Sequence, residues 1–136
     1  MVRGMADMIS FPRLPNVKMH HDCYEDLEKL IHDDEKPDFI AAYTLRINFL
    51  SQNIGKETLY HKSWFEVLKK VQGMRSIRFM KFRNLRILYM IEEEKAYLLL
   101  AFEEHQGHKN TEYAKYVDSA LKRLKERKGS NENRIC

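Results

Sequence analysis

The chain is poor in cysteine, proline and glycine, with two, three and five of each among 136 residues. Its two thiols are Cys23, inside a helical pattern, and Cys136, the last residue. They make no disulfide framework, so a reducing cytoplasm is the expected setting. Long apolar runs are also missing. None approaches the length needed to cross a bilayer, which argues against a membrane partner. The opening MVRGMADMISFPRLP lacks the continuous apolar core of a secretory signal. There is no glycine-rich phosphate loop, no nucleophile elbow and no Cys–His nucleophile pattern. No internal repeat is visible.

What is present suits one domain. Hydrophobic residues make up 43% of the chain and charged residues 32%, enough for one core and a charged surface. The net charge of +4 is only mildly basic and by itself does not imply nucleic acid. The distribution says more. Residues 22–38 hold Asp22, Glu25, Asp26, Glu28, Asp33, Asp34, Glu35 and Asp38 against two lysines. Residues 69–91 hold Lys69, Lys70, Arg75, Arg78, Lys81, Arg83 and Arg86 and no acidic residue. The mean hides an acidic part and a basic part.

Residues 1–15, with Gly4, Pro12 and Pro15, read as a flexible arm, followed by a short strand near 16–20. HDCYEDLEKLIHDD then carries Tyr24, Leu27, Leu30 and Ile31 at helical spacing, with Asp22 placed to cap. Pro37 can open a second helix to Asn53, with a stripe of Phe39, Tyr43, Ile47 and Leu50, and Gly55 suits its end. Two adjacent amphipathic helices suggest a helical hairpin. Residues 56–73 are ambiguous: Ser63 and Glu66 have capping-box spacing, whereas Trp64, Phe65 and Val67 suit a strand.

Beyond Gly73 the period becomes two. Ile77 and Phe79, then Leu85, Ile87, Tyr89 and Ile91, alternate with other residues. After the turn EEEK, AYLLLAF reads as a central strand covered on both faces. A last helix is expected from Asn110 or Thr111 to about Lys128, burying Tyr113, Val117, Ala120, Leu121 and Leu124, with Gly129 as its stop and a disordered tail over 129–136. The fold class is therefore α+β: a small antiparallel sheet, an N-terminal helical hairpin and a C-terminal helix, in a single domain over 16–128.

Residues two apart share a strand face. Arg78 opposes Ile77 and Phe79, and Arg86 opposes Ile87 and Tyr89. Paired strands would set Arg78 and Arg86 on one side, where two guanidiniums repel unless an anion or carboxylates lie between them. The segment supplies no carboxylate. A phosphate-bearing ligand fits guanidinium geometry, and a solvated arginine face is the plainer alternative. Metal sites are weakly supported. His20, His21 and Cys23, or His105 and His108, lack further ligands at fixed spacing, so no metal and no cofactor is expected.

MRSIRFMKFRNLRILYMIEEEKAYLLLAF, followed after a polar stretch by YVDSALKRLKE, resembles the RelE/ParE superfamily of bacterial toxins, in its HigB-like, phage-associated branch. The likeness covers roughly residues 67–127. It rests on a strand ending Ile-Arg-Phe, an Arg-Ile-Leu-Tyr strand, an apolar strand ending Ala-Phe, and an Ala-Leu-x-Arg helix.

The resemblance implies a RelE-like fold and a metal-free endoribonuclease that cuts messenger RNA, often on the ribosome, by attack of the 2′-hydroxyl on the adjacent phosphate. It also implies an antitoxin partner, expected to be of helix-turn-helix type. In that reading Arg86 is the transition-state clamp and Arg78 assists, because fixed guanidiniums gain strength as phosphate charge grows. Lys69, Lys70, Arg75, Lys81 and Arg83 would track the RNA backbone. Where the family often has a Lys-Lys or Lys-Arg pair after the apolar strand, this chain has Glu103, Glu104 and His105. His105 or His108 could then supply acid–base chemistry, with Glu103 or Glu104 orienting it or acting as base. Tyr113 could reach the site or simply pack. A ParE-like topoisomerase poison and a non-catalytic RNA-binding module remain alternatives on the same fold.

Overall fold

A computed structural model gives the architecture at residues 8–11, 13–69, 71, 73–104 and 110–135, with side chains described at 13–69, 71, 73–104 and 113–126. The elements are β1 (Met8–Phe11), β2 (Leu14–His20), α1 (His21–Leu30), a 3-10 turn (Asp33–Glu35), α2 (Lys36–Gln52), α3 (Glu57–Tyr60), β3 (Phe65–Val67), β4 (Met74–Phe79), β5 (Leu85–Glu92), β6 (Lys95–Glu103) and α4 (Asn110–Ile135). One six-stranded sheet runs in the order β1-β2-β6-β5-β4-β3. The α+β class stands.

The sheet is mixed rather than antiparallel. Strand β2 lies parallel to β6, pairing Val17 with Ala96 and Met19 with Leu98, while the other four pairings are antiparallel. The meander β4-β5-β6 is local and follows from short turns. The β2–β6 contact needs a long crossover, which local pattern does not reveal. Residues 8–11, expected in a flexible arm, instead form a strand that pairs with β2, which itself begins at Leu14. Residues 1–7 lie outside the described residues.

Helix α1 begins two residues earlier than a cap at Asp22 implies. His20 is its cap, its Nδ1 accepting the Asp22 backbone N–H at 3.0 Å. Pro37 opens α2 as expected. At residues 63–67 the strand prevails over the capping box, since Phe65 finds a partner in Ile77 and a place in the core. Gly129 does not end the last helix, which continues to Ile135. One glycine costs about 1 kcal/mol in a helix interior, and no proline follows to enforce a stop.

Each sheet face has its own core. Helices α1 and α2 bury Cys23, Leu27, Phe39, Ile47 and Leu50 against Ile77, Phe79, Ile87, Tyr89 and Leu98. Both contribute to this one cluster, and α1 lies chiefly on the sheet. Helix α4 buries Val117, Ala120 and Leu124 against Leu88, Leu99, Leu100 and Phe102. Strand β6, buried along its middle, is the central strand the sequence suggests.

A bulge in β6 changes which residues face α4. Leu88 pairs with Leu100 but Tyr89 pairs with Leu98, so Leu99 is extra. Leu99 and Leu100 both face α4, and the alternation restarts one step out of phase. Phe102 therefore lies opposite Arg86 on the α4 side.

The free edge of β6 beyond β2 is covered. Asp26 of α1 accepts the Ala101 N–H at 3.1 Å, and Arg123 of α4 donates to the Leu99 carbonyl and to Asp26, both at 2.8 Å. Unpaired strand groups are thus satisfied by two helices instead of a further strand.

Candidate functional site

Arg78 and Arg86 are direct cross-strand partners of β4 and β5. They share the α4 face, because Ile77, Phe79, Leu85 and Ile87 fill the other. This is the juxtaposition the alternation implies. Their surroundings differ. Arg86, 13% exposed, lines a cavity of about 550 Å³ between α4 and the sheet. Arg78 does not line it.

Carboxylates absent from residues 69–91 arrive from outside that segment. Arg86 Nη1 donates to Glu66 Oε1 at 2.6 Å, and Arg86 Nε lies 2.5 Å from Glu104 Oε1. The second contact is ionic, since Oε1 of Glu104 receives no aligned N–H. Glu66 belongs to β3, two strands from Arg86. It reaches across because the intervening β4 residue, Ser76, is small and donates to the same oxygen at 3.4 Å. Glu104 follows β6 on the phase that the bulge creates.

Tyr113 enters from the first turns of α4. Its ring meets Phe102 edge-on with centroids 5.5 Å apart, and Phe102 stacks on Tyr116 at 4.2 Å. Tyr113 therefore both packs and reaches the site. Burial pushes its phenol above the ordinary range, Arg86 pulls it down, and Glu104 and Glu66 push it up. The hydroxyl stays protonated at neutral pH. Lys69 and Asp118 complete the polar lining, and Leu68, Val71, Ala114 and Val117 form the apolar walls.

Arg78 has no carboxylate partner among the described residues. Its Nη2 lies 3.6 Å from Met80 Sδ, and its buried Nε has no hydrogen-bond partner. Its backbone is fixed by the Trp64 carbonyl and by Arg46 Nε, which donates to the Arg78 carbonyl at 2.9 Å. Arg46 also lies 4.6 Å above the Trp64 ring and 4.8 Å from Phe79, and burial lowers its pKa.

Two arginines expected on an RNA track are engaged elsewhere. Arg75 projects to the opposite face, where Glu57, fully buried, accepts from Arg75 Nη1 and from the Tyr89 hydroxyl, both at 2.6 Å. Arg83 is held in the β4–β5 turn by Glu35 at 2.7 Å, Glu103 at 2.8 Å and the Leu30 carbonyl at 2.9 Å. These contacts hold a non-glycine residue at φ 56°. Arg83 lowers the Glu35 carboxyl to about 2. Lys69 and Lys81 are exposed. Lys70, His105 and His108 lie outside the described residues.

Spacing missed Glu66 as a site residue and raised Glu104 only as a partner of His105 or as a base. A helix-cap reading of Ser63–Glu66 hid the first, and the bulge hid the second. Cys23 joins no polar cluster: it is buried in the core, and burial raises its thiol pKa. Among the described residues, His21, Asp22 and Glu25 are the trio whose ligand atoms lie within 4.8 Å of one another; they sit on α1, away from this cavity. No described helix is long and apolar enough to cross a membrane.

No family model, curated protein or solved structure matches the chain.

Proposed function

We propose that the protein is a RelE/ParE-like toxin of the HigB-like branch, a metal-free endoribonuclease that cuts messenger RNA and is silenced by an antitoxin in the cytoplasm. The observation that carries the reading is Arg86 held between Glu66 and Glu104 beside a protonated Tyr113, inside one cavity.

The chemistry follows from charge movement. Attack of a 2′-hydroxyl needs a base, and departure of the 5′-oxygen needs a proton. Attacking and leaving oxygens lie in line on opposite sides of the phosphorus. Glu66, whose Oε1 accepts from Arg86 Nη1, is assigned the base role, and Glu104 is left to orient Arg86. Glu66 takes the 2′-proton and Tyr113 gives one to the leaving alkoxide, which is more basic than a phenolate. Arg86 has five N–H donors, and Glu66 and Glu104 engage two of its nitrogens. As Glu66 becomes protonated it loses the charge that held Arg86. The phosphorane gains that charge, and the guanidinium follows it. Glu104 keeps Arg86 oriented throughout. Arg78 on the adjacent strand adds positive potential on the same sheet face.

A second reading is favoured by the same ion pairs: an arginine already matched by two carboxylates suits a protein-binding module, such as a topoisomerase poison, as well as an enzyme. One experiment separates them. The purified protein is incubated with transcripts, with and without translating ribosomes, and in parallel with gyrase and relaxed plasmid. Cleaved transcripts, lost in Arg86→Ala, support the nuclease. Intact transcripts with blocked supercoiling support the poison and remove the nuclease proposal.

A further inference from the structure

The cavity beside Arg86 has two polar lining residues that the cleavage chemistry does not use. Asp118 of α4 and Lys69, just beyond β3, both line it and are both exposed. Among the described residues neither has a charged partner, whereas Glu66 and Glu104 are bound to Arg86. Asp118 lies five residues past Tyr113, about 7.5 Å farther along the helix axis. That offset is on the scale of a nucleotide and exceeds that of a phosphate. The apolar lining comes from Leu68 and Val71, between β3 and β4, and from Ala114 and Val117 of α4. A cavity whose lining combines apolar walls, an anionic acceptor and a cationic donor suits a flat heterocycle.

We infer that Asp118 and Lys69 read the nucleobase next to the scissile phosphate and that they select guanine. The inference rests on the nuclease reading of this cavity and names its substrate. A carboxylate has two acceptor oxygens and no donor. Guanine alone presents two adjacent donors, N1–H and the N2 amine, that both oxygens can accept. Its neighbouring O6 accepts from an ammonium. Adenine and cytosine place a bare ring nitrogen beside their single amine, and that lone pair repels the carboxylate. Uracil flanks its one N–H with two carbonyls. Charge-assisted bidentate pairing is the strong, orientation-dependent kind, and one such pair commonly discriminates a base by roughly tenfold or more.

The test is equilibrium binding of 3′-GMP, 3′-AMP, 3′-CMP and 3′-UMP to the full-length protein, read by calorimetry or chemical-shift titration. The wild type is expected to bind 3′-GMP at least about tenfold more tightly than the other three. Asp118→Asn keeps the shape of an exposed side chain and turns one acceptor into a donor; it is expected to bring 3′-GMP to within about threefold of the rest. Equal affinity of the wild type for all four nucleotides, or an Asp118→Asn variant that still prefers 3′-GMP, overturns the inference. The nuclease reading is judged separately, by transcript cleavage and its loss in Arg86→Ala, so a protein that cuts without preferring guanine defeats this inference alone.

Discussion

Arg78 and Arg86 face each other across β4 and β5 on one side of the sheet, yet only Arg86 is gripped by carboxylates. Adjacent like charges repel, and Glu66 and Glu104 offset that cost at one member of the pair. Arg78 has no carboxylate partner among the described residues. In the proposed nuclease, Arg86 is the clamp and Arg78 an auxiliary charge.

Removing the clamp is the most direct test. Arg86→Ala is expected to reduce transcript cleavage by roughly 10²–10³-fold, the usual loss for a preorganised charge at a developing oxyanion. Arg78→Ala is expected to cost less. Because Arg86→Ala also leaves two carboxylates without their cation, a urea unfolding curve accompanies the assay, and Arg86→Lys serves as the variant that keeps the charge while losing the fork.

Arg75 provides a contrast. It pairs with Glu57, a carboxylate with no exposed surface. Arg75→Ala strands that buried charge and is expected to destabilise the fold by about 3 kcal/mol or more, read as a lower urea midpoint. RNA affinity of the remaining folded protein is expected to be unchanged. A large loss of RNA affinity with normal stability would place Arg75 back on the nucleic-acid face.

His20 should make stability depend on pH. It is 2% exposed, its Nδ1 caps α1, and its Nε2 lies 3.1 Å from Glu126 of α4. Burial lowers its pKa below 6.5 more than Glu126 and Asp22 raise it, and Arg123 adds to the lowering. The unfolded chain therefore binds the proton more readily. Stability tied to neutral His20 is complete above about pH 6.5 and is lost as pH falls below it towards the folded value. Urea midpoints at pH 7.5 and 5.5 should fall more for the wild type than for His20→Asn, whose side chain can still accept the cap bond.

Lys81 and Arg83 sit in the same turn and should behave differently. Lys81 is exposed; Arg83 is tied to Glu35 and Glu103. If RNA crosses this turn, Lys81→Ala should lower the slope of log affinity against log salt by roughly one. Arg83→Ala should leave that slope unchanged and lower the melting temperature. Equal slopes for the wild type and Lys81→Ala would take the turn off the RNA path.

Much of the fold was legible because it is local. The alternation around Ile77, Phe79, Ile87 and Tyr89 fixed which way Arg78 and Arg86 point, since a strand has only two faces. The stripes of α2 and α4, the proline that opens α2 and the turn at Glu93–Glu94 were equally readable. Along α1 and its C-cap, Leu27 and Ile31 are buried as expected, but Tyr24 is exposed and Cys23 is buried instead. Length and composition argued for a single domain, and the order of helices and strands placed it in the α+β class.

What only the tertiary structure decided depends on groups distant in sequence. The run AYLLLAF is apolar throughout, so it carries no phase, and the bulge at Leu99 alone determines that Phe102 lies beside Arg86. Glu66 meets Arg86 because β3 comes to lie two strands away with a serine between. Arg75 and Arg83, basic in sequence like their neighbours, were neutralised by Glu57, Glu35 and Glu103 from separate elements. Side-chain direction follows from backbone geometry within one strand. Charge pairing follows from which strands and helices become neighbours, and that is settled only when the chain has folded.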